Sequence, residues 1–171
     1  YQHDEWIENL KDIIIKMDEM KVRLIGICFG HQVIADAFGC NVEENKNGWE
    51  VSLSTIKLNE HGQKLFGRKQ LRIHQMHKDV VTEIPDDIGL KVTALNKKGE
   101  IQGLMKNEHI ITLQGHPEYH DDIIELFFKE NKSIPEELID EGRKKFNKTT
   151  SQKFVSKFFN KFLENPVIIY V

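Results

Sequence analysis

Trp6, Ile7, Leu10, Ile13, Ile14 and Met17 recur at intervals of three and four, with polar and charged residues between them. That spacing places the apolar side chains on one stripe and predicts an amphipathic helix over residues 4–20. Val22, Leu24, Ile25 and Ile27 then form a short apolar run, as in a buried strand. A Gly26-Ile27-Cys28-Phe29-Gly30 turn follows. Val33, Ile34, Ala37 and Phe38 resume the helical stripe as far as Gly39, which suits the position just past a helix end. Helix, strand, tight turn and helix predict an α/β sheet.

The middle of the chain changes period. Trp49, Val51 and Leu53 alternate with polar residues, and the phase then slips to Ile56 and Leu58, predicting a bulged strand. Leu71 with Ile73, Leu90 with Val92, Ile101, and Ile110 and Ile111 with Leu113 predict four more strands, with tight turns at 96–99 and 106–108. Hairpins following a parallel unit predict a mixed sheet. From residue 121 the helical period returns in Ile123, Ile124, Phe127 and Phe128. Ser133 and Glu136 have the spacing of a capping box, with Pro135 in the first turn. Over residues 150–163, Phe154, Val155, Phe158, Phe159 and Phe162 share one stripe, suited to core packing. No repeat or linker divides the sequence, so residues 1–171 read as one domain.

Composition narrows the partners. With 39% hydrophobic and 30% charged residues the chain is of ordinary globular type. A formal net charge of -3 gives no electrostatic reason to expect nucleic acid or an anionic membrane. The longest apolar run, residues 167–171, is far short of the ~18 residues a membrane span needs. Two cysteines do not make a secreted disulfide scaffold and point to a reducing, cytoplasmic setting. The first residue is Tyr1 and leads straight into a helical pattern, so the natural start is expected to lie upstream. His74, His77, His116 and His120 match no standard zinc spacing, and no metal or cofactor is expected.

Two short segments carry chemistry. Gly26-x-Cys28-x-Gly30, between a strand and a helix, has the form of a nucleophile elbow. The turn lifts the thiol out of the sheet's end, and flanking glycines give the backbone room. The N–H groups of the following helix favour a thiolate and stabilise an oxyanion. The plainer reading is a small buried hydrophobe, the usual fate of free cysteine. Gly115-His116-Pro117-Glu118 closes the strand at 110–114. Residues two apart in an extended segment point the same way, so Glu118 can fix the tautomer of His116. By itself such a segment is a strand-ending turn; with a cysteine elbow it supplies nucleophile, base and orienter. Cys40 sits beyond the helix end with no partner motif and reads as a structural or surface thiol.

The segment GICFGHQVIADAFG (26–39) resembles the nucleophile motif of class I glutamine amidotransferases, and QGHPEY (114–119) resembles their His/Glu motif. HQMHKDVV (74–81) is similar to the segment that closes over the glutamine side chain, and NGWEVSLSTIKL and the C-terminal helices also fit. Within the family the chain is similar to the stand-alone branch, which includes yeast amidotransferase-like proteins and plant gamma-glutamyl peptidases. The resemblance implies an α/β, flavodoxin-like mixed sheet flanked by helices. It implies Cys28 as nucleophile, His116 as base and acid, and Glu118 as orienter. It also implies substrate contacts from Gln32 and from Met76 and His77. The reaction implied is cleavage of a γ-glutamyl amide through a Cys thioester. Either glutamine is the substrate, with a separate synthetase accepting the ammonia, or a γ-glutamyl peptide such as glutathione is. The family opens with a strand, a helix and a glycine-containing oxyanion loop ahead of the point where this sequence starts. The chain is therefore expected to lack them, leaving the Phe29 N–H as oxyanion donor and turnover weak. The rival class is a truncated remnant acting as a binding or structural module.

Overall fold

In β8 (Ile110–Leu113) all four residues are buried, because helices cover the sheet on both faces. Ile110 packs with Ile7 and Ile14 of α1 (Glu5–Glu19) and with Val33 and Ile34 of α2 (Phe29–Ala37). The next residue, Ile111, points the other way, as strand geometry requires. With Leu113 it joins a cluster that includes Val155 of α6 (Gln152–Glu164). Phe154, Phe158, Phe159 and Phe162 lie against that cluster, so the aromatic stripe is indeed core packing. The computed structural model describes residues 4–164; Tyr1 and the 167–171 run lie outside the described residues.

The main sheet runs β1-β8-β7-β6-β3-β4, where β1 is Leu24–Ile27, β3 Glu50–Leu58, β4 Gln70–His77, β6 Leu90–Leu95 and β7 Ile101–Lys106. Only β1 and β8 pair in parallel, with Leu24 opposite Ile110 and Ile27 opposite Leu113. The other pairs are antiparallel, so the sheet is mixed, as the sequence pattern predicts. The two turns between β6, β7 and β8 fall where expected. At the first, Asn96 Oδ1 accepts from the N–H groups of Lys98 and Glu100 at 2.9 and 3.0 Å; at the second, Asn107 takes a φ of 50°.

Four local features differ from the sequence reading. The β3/β4 register runs unbroken from Glu50↔His77 to Lys57↔Gln70, so β3 holds no bulge against β4. A left-handed residue, Ser52 at φ 63°, sits in the strand instead, with its hydroxyl donating to Gly142 O at 2.8 Å. Ser133 does not cap α5 (Glu136–Arg143): Pro135 occupies the N-cap, and the Ser133 hydroxyl donates to Asn131 Oδ1 at 2.7 Å. A short helix, α3 (Glu60–Phe66), follows β3 and carries too few residues to show a period. It is set by Asn59, whose side chain accepts from Gly62 N at 3.0 Å, and by Gly67 at φ 65°. Finally, β2 (Asn41–Glu44) and β5 (Asp79–Glu83) form a separate antiparallel pair over α2, with Val42 opposite Val81. The helix α4 (Asp121–Glu130) lies where the period places it. Among the described residues no helix is long and apolar enough to cross a membrane.

Candidate active site

Because β1 and β8 are parallel and in register, their carboxyl ends deliver Cys28 and Gln114 side by side. The Cys28 N–H donates to Leu113 O at 3.0 Å, extending the ladder one step beyond the strand. Cys28 then turns the chain at φ 50° and ψ -102° and becomes the N-cap of α2. A residue with a Cβ held there is strained by about 1–3 kcal/mol, a cost met by the surrounding ladder and helix. The first N–H groups of α2, beginning with Phe29, have no acceptor within the helix. The Phe29 ring itself packs against Trp6, centroids 5.6 Å apart.

The two flanking glycines play different parts. A Cβ on Gly26 would lie 2.6 Å from Gly30 O and 2.7 Å from Ile34 Cδ1, whereas one on Gly30 would meet nothing within 4 Å. Crowding therefore demands glycine only at Gly26, where α2 turns back onto the strand. Gly26→Ala is expected to cost about 1–3 kcal/mol, because the nearest obstacle is backbone. That corresponds to a melting temperature lower by roughly 3–10 °C. Gly30→Ala should melt within about 2 °C of the parent. Equal melting temperatures for the two variants in a thermal scan would overturn this account of the elbow.

His116 is held from three sides. Its backbone N–H donates to His74 O on β4 at 2.7 Å. Nδ1 lies 2.6 Å from Glu118 Oε1. The ring stacks on Tyr119, centroids 3.9 Å apart and planes 4° apart, and Tyr119 in turn stacks on Phe127 of α4. Gly115 lets β4 come this close, since a Cβ there would meet the Gln75 amide at 2.6 Å. With Nδ1 given to Glu118, Nε2 is the nitrogen available to the Cys28 sulfur, whose charge acts on the imidazole. Burial disfavours the imidazolium, but the Cys28 sulfur and the Glu118 carboxylate outweigh burial and push the His116 pKa up to about 9. A cationic imidazole beside a thiol and a carboxylate is able to donate a proton there.

A buried polar chain reaches the same sulfur from the other side. Gln114 Nε2 lies 3.8 Å from Cys28 Sγ, and Gln114 Oε1 accepts from Gln32 Nε2 at 3.2 Å. Gln32 Nε2 also donates to Asp79 O at 3.0 Å, an oxygen shared with His77 Nδ1 at 3.1 Å. His77 Nε2 faces Glu50 Oε2 at 3.4 Å, and Glu50 accepts from Asn96 and Gln102 at 3.0 and 2.9 Å. Burial alone would raise the Glu50 pKa; His77, Asn96 and Ser54 hold it below the ordinary value.

The structure thus brings Cys28, His116 and Glu118 together and joins Gln32 to them through Gln114. His77 lies further along the chain, tied by way of Asp79 O. The Met76 side chain is in an apolar cluster with Val51, Ile124 and Phe128. Cys40 is buried among Ala35, Val42 and Val81, and burial pushes its thiol up to about 11. Sequence reading missed Gln114 and Glu50. Gln114 immediately precedes the Gly-His-Pro-Glu turn and faces Cys28 across a parallel pair, which was the available signal. Beside Glu118, a cavity of about 680 Å³ opens between Ile27, Pro117 and His120 and the Gln152–Asn160 face of α6.

The sequence profile described as Glutamine amidotransferase class-I matches residues 2–131. A glutamine amidotransferase-like protein of Schizosaccharomyces pombe is 33% identical over 165 residues, covering 92% of this chain and 65% of its own. Gamma-glutamyl peptidase 4 of Arabidopsis thaliana is 36% identical over 130 residues, covering 72% of this chain and 51% of its own. The chain therefore spans about half to two thirds of the length of these relatives. Among solved structures, a glutamine amidotransferase from Thermotoga maritima superposes with a TM-score of 0.70 at 22% identity, covering 93% of this chain and 70% of that one.

Proposed function

Because the chain belongs to the class-I glutamine amidotransferase family, we propose that it cleaves a γ-glutamyl amide bond, with Cys28 as nucleophile. The observation that carries this reading is the His116 imidazole held at 2.6 Å by the Glu118 carboxylate, with its pKa raised by that carboxylate and by the Cys28 sulfur beside it. The Cys28 thiolate attacks the γ-carbonyl carbon, and the carbonyl electrons move onto oxygen. The Phe29 N–H, at the start of α2, donates to that oxyanion. Collapse of the adduct breaks the C–N bond, and His116 gives its Nε2 proton to the departing amine. His116 then takes a proton from water as the water attacks the thioester, releasing glutamate and the Cys28 sulfur. Glu118 keeps Nδ1 protonated throughout. Gln114 is a positioning residue whose amide steadies the sulfur, and Gln32 holds that amide in place.

The leaving group is ammonia if the substrate is glutamine and an amino acid or peptide if it is a γ-glutamyl peptide. The name of the Arabidopsis relative supports testing the second alongside the first. Incubation with glutamine and, separately, with glutathione should release glutamate from at least one, and a glutamine-like electrophile should label Cys28 in preference to Cys40. Labelling of Cys40 instead, or glutamate from neither substrate, would remove the reading.

A further inference from the structure

A second cavity of about 390 Å³ lies between β3, the 96–99 turn and α5 with the segment after it. Arg72, Lys97, Lys98, Lys145 and Lys148 all line it. Among the described residues none of these five side chains is in an ion pair. Two carboxylates border the same space, and both are engaged elsewhere: Glu50 by Asn96, Gln102 and His77, and Glu141 by Lys144. Trp49 forms another part of the wall. The turn bearing Lys97 and Lys98 is fixed by the Asn96 side chain, so the two lysines are presented on a set loop.

We propose that this cavity is a binding site for a small molecule bearing a phosphate or diphosphate group. Five cations against two carboxylates leave an excess of positive charge in one concavity of a chain whose formal net charge is -3. An Arg fork and several Lys ammonium groups match the oxygens of a phosphate better than a single carboxylate. Burial lowers the Lys145 pKa; Glu50 and Glu141 pull the other way without restoring it, and Lys97 and Lys148 add like charge. A bound dianion would relieve that repulsion. The confined position of the cavity between β3 and α5 favours a compact anion over a nucleic-acid strand. Glu50 joins this cavity to the polar chain behind Cys28, but no residue of the Cys28, His116 and Glu118 group lines it.

Calorimetric titration of the protein with inorganic pyrophosphate tests this. The expected result is saturable binding of one pyrophosphate per chain, weakened by added salt. Lys97→Glu with Lys98→Glu, both on an exposed turn, should weaken binding roughly tenfold or more. Lys64→Glu with Lys69→Glu makes the same change in net charge on another surface and should leave the affinity within about twofold. Cys28→Ala should bind pyrophosphate like the parent, which separates this result from the fate of the proposed reaction. No saturable heat up to about 10 mM would overturn the proposal. So would equal weakening by the two double variants, or a 20-nucleotide RNA that binds more tightly than pyrophosphate.

Discussion

Replacing Cys28 with alanine is expected to lower kcat for glutamate release by roughly 10,000-fold or more, because no thioester can then form. The fold should survive, since the side chain contributes little packing and the backbone bond from Cys28 N to Leu113 O at 3.0 Å is retained. Alanine keeps a Cβ at φ 50°, so the strain stays with it. Glycine does not. Cys28→Gly should therefore be equally inactive yet more stable than Cys28→Ala by about 1 kcal/mol, an increment in melting temperature of roughly 2–4 °C. Glutamate release and thermal melting measured on the same three proteins check both halves. Turnover in Cys28→Ala within about 100-fold of the parent would remove this sulfur as nucleophile. Identical melting of the alanine and glycine variants would show that the elbow stores no strain.

His116→Ala should cost about 100- to 10,000-fold in kcat, the range for loss of a positioned acid and base. The same residue sets a pH dependence. Its folded pKa is raised to about 9, above the ordinary histidine value of about 6.5. The stabilisation this represents is fully present below about pH 6.5 and is lost as the pH rises through about 9. Turnover, which needs the proton for the leaving amine, should fall over the same alkaline limb. Glu118→Gln keeps the shape of the side chain and removes its charge, so the limb should move to lower pH while part of the rate survives. An alkaline limb that does not move in Glu118→Gln would mean that this carboxylate does not hold the His116 proton.

Much of this architecture is legible in periodicity. The helices at Glu5–Glu19 and Gln152–Glu164 and the strands from β6 to β8 show plain 3.6- or 2-residue patterns, because each buries one stripe or both faces against a neighbour. The pair formed by β2 and β5 is not, since Asn41–Glu44 brings a single apolar residue to the interior. The α3 helix is fixed by an Asn cap and by the close approach of Gly62 to Thr93 O, where a Cβ would lie 2.1 Å away. No sequence window contains that contact. The phase slip in β3 is visible, but its resolution by a left-handed serine rather than an inserted residue depends on Gly142 in α5. At the site, Cys28, His116 and Glu118 stand out because each sits at a punctuated strand end. Gln114 and Glu50 do not, because their partners are 86 and 46–52 residues away and no local spacing records them.

That same polar chain bears on the order in which the molecule is built. Gln32 finds Asp79 across 47 residues and Gln114 across 82, and Gln114 finds Cys28 across 86. Contacts of such separation are entropically slow to close and come only after most of the antiparallel sheet has paired. The elbow is different, for α2 and β1 are sequence neighbours and can associate early. A newly made chain would thus carry an exposed, unassisted thiol through most of its folding. The His116 imidazole and the Gln114 amide would reach that sulfur only when β8 docks beside β1. Under the proposed mechanism, reactivity would then arrive as the closing step of folding.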